Sequence, residues 1–332
     1  VGTVKGLRIF QWGKETVRGT AVAATSKIAL ENMDLEPIDL VVRPQFLTGK
    51  LHRYPGGNET PIKRGTTWKI NNSPVVYDQL QHLLAMSVKG GVAASGAPSV
   101  YTWDFSRSLT ADPAPESFTI ERRTTDGSTP RDYEWTYALI SSISFHYKLD
   151  EPLRFSCDGF ARRVQASTLT AALTYPATEV PSSHAACSID STWANLGVTP
   201  IVGQVLSADV TFKTGIMPFD TLDGRTDLDF TTYVFNAAET GLDVKLRMLM
   251  AAQFPTEKTA AEAQTLRTVR LAVTGSASRA LTLDMALKHE PGSLFKVDEV
   301  DGQDVVDMKL VDSDDGTNMF KAGLVNAINT YV

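Results

Sequence analysis

At 332 residues the chain exceeds a usual single core, so two domains are expected, with one large β domain as the alternative. Hydrophobic residues make up 42% and charged residues 21%, which argues against wholesale disorder, and the formal charge of −6 argues against a protein that grips nucleic acid by neutralising phosphates. Cys157 and Cys187 form no CxxC pair, so reduced, partly buried thiols are expected rather than a zinc site, and no apolar run reaches the ~20 residues of a membrane span.

Taken in order, residues 1–26 read as an extended N-terminal arm, rich in Gly, Ala and Thr. Its start, VGTVKGLRIFQWGKE, lacks a long apolar core followed by a small-residue cleavage site, so a soluble protein made in the cytoplasm is expected. A first β-rich unit spans residues 27–165, opening with the alternation of Ile38, Leu40 and Val42. From Phe46 to Trp68, Gly and Pro sit among Lys50, His52, Arg53, Lys63 and Arg64, which predicts a long basic loop. Ser73-Pro74 predicts a helix start, Val76, Leu80, Leu83 and Leu84 recur at helical spacing, and Gly90-Gly91 stops the run. Strands are expected at YTWDF from Tyr101 and SFTIERR from Ser117.

The stretch from Tyr133 to Val164 is the strongest pattern in the chain. Tyr133, Trp135, Tyr137, Leu139, Ile143, Phe145 and Tyr147 fall on one parity, and Glu134, Thr136, Ser142, Ser144 and His146 on the other. After a turn at Asp150, Glu151 and Pro152, Leu153, Phe155 and Cys157 alternate again with polar residues, predicting a large hairpin with one dry and one wet face. Such a ribbon leaves strand edges that need cover.

Residues 166–186, low in charge and rich in Ala, Ser, Thr and Pro, read as a linker, and 187–332 as a second β-rich unit. There GQVLSADVTFKTG, TDLDFTTYVF, GLDVKLRMLM, TVRLAVTG, ALTLDMAL and QDVVDMKLV predict strands, and PTEKTAAEAQTL a helix. SSISFHYKLDEPLRFSCDGFAR and LSADVTFKTGIMPFDTLDGR share a loose order of strand, turn, Pro, apolar residues, Asp-Gly and Arg, suggesting two copies of one unit.

Chemistry is hard to find. The five His residues make no HExxH and no i, i+4 pair; GxxxxGK[ST], GxGxxG after a strand, and GxSxG are all lacking. The acidic runs at Asp220, Asp223, Asp227, Asp229 and at Asp312, Asp314, Asp315 lack the calcium-loop glycine and the later Glu, and read as solvated turns. No catalytic residue, metal ligand or cofactor is expected.

RIFQWGKETVRGTAVAATSKIALENMD, NNSPVVYDQLQHLL and the strand-turn-strand ending in DGFARR resemble the tail tube proteins (major tail proteins) of long-tailed bacteriophages. The Trp12-Gly13-Lys14-Glu15 and Arg18-Gly19-Thr20 run carries most of the likeness. The resemblance implies a mainly β chain of two tandem β-sandwich tail-tube domains, each with a flanking α-helix, joining across subunits into a closed barrel with an aqueous lumen. It implies stacked rings, trimeric and pseudo-hexameric, in the tail of a virion after assembly in the host cytoplasm. Partners would be other copies of itself, a tape measure protein and a tail terminator, with DNA passing through without specific binding and no membrane involved. On that reading Glu134, Ser142, Ser144, His146, Asp209, Asp227 and Asp229 are candidates to face an acidic lumen that repels phosphate. Lys50, His52, Arg53, Lys63 and Arg64 are candidates for a loop that contacts the next ring. The alternatives are a tail terminator ring protein, a β-sandwich carbohydrate-binding or adhesion module, and an enzyme whose convergent polar site the sequence does not reveal.

Overall fold

The computed structural model describes residues 8–42, 60–125, 129–176, 179–276, 278–292, 297–300 and 302–331. Among them are eighteen strands and two α-helices, and the chain is mainly β with a large antiparallel sheet.

The longest strand, β8 (Pro130–Lys148), is the centre of the sheet. Its first half pairs with β7 (Phe118–Thr125) and with the short β10 (Gln165–Ala166). β7 continues to β1 (Ile9–Lys14), which also pairs with β2 (Ser26–Lys27). The second half of β8 lies between β9 (Arg154–Ala161) and β12 (Val205–Phe219). From that junction the sheet extends both ways. Through β9 it reaches β4 (Thr60–Pro74) and β3 (Met33–Val42). Through β12 it reaches β13 (Thr232–Leu249), β17 (Gln303–Asp312) and β16 (Val297–Val300). The run β3-β4-β9-β8-β12-β13-β17-β16 therefore has, among the described residues, an end strand on each side paired along one edge only.

A second group packs over one face of this run. β14 (Arg267–Ser276) and β15 (Arg279–His289) form a hairpin, with β11 (Ala185–Asp190) beside β14. β18 (Phe320–Asn326), β6 (Val100–Ser106) and β5 (Ser95–Ala97) follow beside β15, and the end of β15 also bonds β17. One core joins the two groups: Phe145, Phe155, Phe212 and Leu246 meet Trp103, Leu271, Leu283 and Leu324, and Phe212 stacks on Phe320 at 4.9 Å.

Helix α1 (Tyr77–Ser87) lies within this core, all its residues but Asp78 buried. The predicted helix is thus enclosed on nearly all sides, and its polar residues need internal partners. Gln79 donates to the carbonyl of Lys27, and Gln81 accepts from Asn326. It also begins later than Ser73-Pro74 predicts: β4 stays paired with β9 through Pro74, Ser73 Oγ accepts from the Glu31 N–H, and Val76 is the residue before the first turn. Ladder hydrogen bonds outweigh a local capping signal here. The shorter α2 (Phe254–Glu262) starts with Pro255 in its first turn, as its sequence predicts.

Other expectations shift for equally local reasons. The arm is not free, since β1 joins the sheet. The predicted loop from Phe46 to Trp68 is a strand from Thr60 onward. TDLDFTTYVF is not strand until Thr232, where it merges with GLDVKLRML into the single strand β13. The proposed alignment of the two repeats also fails in detail. Thr214-Gly215 is a bulge inside β12, with Gly215 at φ 72°, rather than the end of a strand. Within 166–186, Val180 is wholly buried and bonded to Val75 and Leu153, so the segment closes on the core of the first half.

β8 does not keep one parity. Tyr137 adopts φ 55° and the register slips at Ile140/Ser142, and each irregularity exchanges the faces of the strand. Trp135, Ala138, Ile140, Ile143 and Phe145 reach the main core, whereas Tyr137 and Leu139 pack on the opposite face with Phe160, Ile216 and Phe230. The same-parity set in the sequence is thus split between two cores.

Candidate functional site

The polar face of the eight-strand run is the largest feature that the core does not use. Cross-strand pairs place Asp34, Lys69, Asp158, Ser142 and Lys213 in one row. Ser156, Ser144, Thr211 and Asp243 form the next, and Arg154, His146, Asp209, Lys245 and Lys309 a third. The alternation that predicts the hairpin creates these rows, because every second residue points away from the core.

Neighbours along the rows are bonded. Lys69 pairs with Asp158 at 2.9 Å, Ser142 donates to Asp158 at 3.2 Å, and Ser144 and Thr211 hydroxyls lie 2.9 Å apart. At the seam between β8 and β12, His146 Nδ1 is 2.7 Å from Asp209 Oδ1, and its Nε2 is 3.4 Å from Ser156 Oγ. That serine also accepts the Asn72 N–H at 3.0 Å. Arg154 holds Glu31 at 2.9 Å, and Arg247 holds Asp298 at 2.9 Å. These pairs are solvent-accessible and contribute little stability each; they chiefly fix side-chain positions.

The face is not acidic. Asp34, Glu36, Asp158, Asp209, Asp243 and Asp307 are matched by Lys69, Lys148, Arg154, Lys213, Lys245, Arg247 and Lys309. Glu31 and Asp298, held by Arg154 and Arg247, bring the acidic and basic groups of this face close to balance.

Of the candidate residues, Ser142, Ser144, His146 and Asp209 are brought together on this face. Glu134 is not: beyond the two parity exchanges it accepts from Ser167 Oγ at 2.8 Å, beside β10. Asp227 and Asp229 belong to the loop between β12 and β13, next to Phe230 of the second apolar cluster. Asp227 is chelated by the Arg225 guanidinium; partial burial alone would raise its pKa, but that bond holds it below the usual range. Asp229 is buried, accepts the Arg163 N–H at 2.8 Å, and is pushed up by desolvation. Lys63 and Arg64 are strand residues rather than loop residues, bonded to Asp220 at 2.6 Å and Asp39 at 3.4 Å. Lys50, His52 and Arg53 lie outside the described residues. Ser156, Thr211, Lys69 and Asp158 escaped sequence reasoning, although the alternation in β9 and β4 held the signal.

The ribbon beyond the sheet is apolar on its exposed side. Past the β4–β9 pairing, β3 and β4 form a two-stranded ribbon, tied to the β12–β13 loop by the Arg64 N–H on the Leu228 carbonyl and by Lys63 on Asp220, and expose Ile38, Leu40, Val42 and Ile62. Between this ribbon and β12 runs a groove of ≈ 560 Å³, lined by Leu35, Ile38, Trp68, Phe160, Ile216 and Phe230.

The Trp12 to Thr20 run is explained by packing. Trp12 is buried and stacks on His82 at 4.9 Å. A Cβ on Gly13 would overlap the carbonyl oxygen of Ala23. Glu15, buried, accepts from the Gly19 and Tyr137 N–H groups at 2.6 and 2.7 Å and from the Ser117 and Thr119 hydroxyls at 2.6 and 3.1 Å. This carboxylate needs no cation, because four donors replace its hydration. It ties the N-terminal segment to β7 and β8.

One buried cluster resembles a site but lies inside the fold. Glu257 on α2 is bonded by Arg267 at 2.5 and 3.0 Å, His289 at 3.0 Å and Gln253 at 2.7 Å. Burial would raise its pKa, and these donors hold it low. The cluster fastens α2 to the sheet. Trp12, Trp68, Trp103 and Trp135 are buried and Trp193 is half-buried in a separate 3-10 turn, so the tryptophans form no shared exposed platform. No group of three His, Cys, Asp or Glu side chains among the described residues is arranged to hold a metal. No family model matches the chain, and no curated protein is significantly similar to it.

Proposed function

We propose that the chain is a structural, self-assembling subunit of a bacteriophage tail tube, built from two copies of one β unit, with three chains closing a ring. The observation that carries this reading is a repeated order of strand pairing. In the first half β1 pairs β7, β3 pairs β4, β4 pairs β9, β7 pairs β8, and β8 pairs β9. In the second half β11 pairs β14, β12 pairs β13, β13 pairs β17, β14 pairs β15, and β15 with β16 pairs β17. A helix follows β4 in one and β13 in the other. β15 and β16 together correspond to the long β8.

Each unit gives the sheet four strands, β3-β4-β9-β8 and β12-β13-β17-β16, and the units meet where β8 pairs β12. By the same equivalence, β16 of one copy meets β3 of the next. That junction satisfies both free edges, and edge closure is how an extended sheet avoids indefinite aggregation. Three chains would bring about two dozen strands to a barrel, wide enough for a water-filled bore. The polar face lines that bore, the core packs outside it, and the apolar ribbon of β3 and β4 contacts a neighbouring copy. The resemblance of Trp12 to Thr20 and of the central hairpin to tail tube proteins supplies the biological setting, including a tape measure protein, a terminator and DNA in transit. A near-neutral lining with fixed ion pairs suits passage of DNA, because it offers phosphates neither strong repulsion nor a dense cationic track. The test is negative-stain microscopy of the purified chain at rising concentration: rings or stacked tubes are expected, and a persistent monomer would overturn the reading.

A further inference from the structure

The seam between β8 and β12 carries a second property, independent of assembly. Three side chains from three adjacent strands form one hydrogen-bonded line: Asp209 on β12, His146 on β8 and Ser156 on β9. Asp209 accepts from Nδ1 of the imidazole, which fixes the tautomer with the lone pair on Nε2, and that nitrogen faces the Ser156 hydroxyl. The Asn72 N–H already donates to Ser156 Oγ, so the hydroxyl proton is free to point at Nε2. Nucleophile, base and orienting carboxylate therefore stand in the order that acyl-transfer chemistry uses, a constellation defined by roles and not by fold, with the 3.4 Å from Oγ to Nε2 at the loose end typical of a ligand-free site.

We propose that Ser156 is an activated nucleophile, with His146 as its base and Asp209 as the residue that positions the base, and that it takes acyl or phosphonyl groups from activated esters and fluorides. With a p-nitrophenyl ester, Oγ bonds to the carbonyl carbon and the bond from that carbon to the phenolate oxygen breaks. The Ser156 proton passes to Nε2 and then to the leaving phenolate or to water. With a fluorophosphonate, Oγ bonds to phosphorus and fluoride leaves. No further reactant is needed. The line lies on an open sheet face, and only one backbone N–H, that of Asn72, is directed at Oγ. That N–H meets the nucleophile and not a developing oxyanion, and each missing oxyanion donor costs about 10²–10³ in rate, so only reagents with an activated leaving group react; the acyl-serine, which has none, outlives its formation.

The charged groups around the imidazole are Asp209 and, beyond it, Lys245 from β12 and β13, Arg154 opposite it on β9, and Lys148 along β8. The experiment treats the folded chain with a fluorophosphonate and, separately, with p-nitrophenyl acetate, and follows intact mass and then peptide mass. The expected result is one adduct, on Ser156. It should be lost in Ser156→Ala, slowed at least about 100-fold in His146→Ala and about tenfold in Asp209→Asn, consistent with general-base contributions of 10²–10⁴. Ser207→Ala, on the same face, should label at the wild-type rate. Melting temperatures confirm that each variant is folded. Labelling no faster than in urea, an adduct elsewhere, or an unchanged rate in His146→Ala would overturn the proposal. None of these outcomes depends on whether rings form.

Discussion

Acidification from pH 8 to pH 5 should weaken the fold by about 2 kcal/mol through one side chain, His82. Its imidazole is wholly buried on α1, stacked on Trp12 and edge-on to Phe118 and Tyr331, and neither ring nitrogen makes a well-formed hydrogen bond, with only a weak approach to the Gln79 backbone. Desolvation penalises the charged ring and lowers its pKa from 6.5 to about 3. The unfolded chain therefore takes up the proton first. Stability is intact above pH 6.5 and declines as the pH falls toward 3. The full difference amounts to about 5 kcal/mol, of which about 2 is lost by pH 5. His82→Phe keeps an aromatic ring on Trp12 and removes no well-formed hydrogen bond, so it should be neutral or stabilising at pH 8. Urea unfolding of both proteins between pH 4 and pH 8 gives the comparison. The wild-type minus variant difference should be flat above pH 7 and grow below pH 6. Parallel pH profiles for the two proteins would refute the reasoning.

Glu257→Ala leaves Arg267 and His289 buried without their acceptor and should destabilise by about 3–5 kcal/mol, read as a fall in urea midpoint. Gly13→Ala forces β1 away from the Ala23 carbonyl, and a loss of about 1–3 kcal/mol in thermal unfolding is expected. Ile38→Lys with Leu40→Lys changes only exposed positions, so the monomer should melt within about 0.5 kcal/mol of wild type. If the ribbon joins copies, the same pair should abolish large species in sedimentation at concentrations where wild type assembles.

The hairpin β8–β9 was legible because its alternation is long, and α2 because Pro255 and the Ala-rich run agree on a helix. Where the reading failed, a non-local force decided. Ser73-Pro74 has the local chemistry of a helix start, yet pairing with Phe155 and Arg154 keeps it in a strand. Period-two counting placed Tyr137 and Leu139 with Ile143, but a left-handed residue and a bulge reversed the faces, and neither leaves a mark that pattern counting detects. Asp227 and Asp229 alternate with apolar residues as strand residues do; Arg225 and the Arg163 N–H hold them in a loop instead. The site shows the same limit. His146 and Asp209 each stood out, but their contact depends on the register between β8 and β12, strands 63 residues apart in sequence at that pair. Ser156 alternates with Phe155 and Cys157 on the polar parity, but its approach to His146 depends likewise on the register between β8 and β9.

The central claim is that β3 and β16 are completed by other copies of the chain. Mass photometry paired with cryo-microscopy class averages of concentrated protein tests it most directly. Three copies of the 36.1 kDa chain, about 108 kDa, or multiples of that mass, are expected, with end-on averages showing a central bore and threefold symmetry. A mass that stays near 36 kDa at every concentration, with averages lacking any bore, would contradict it.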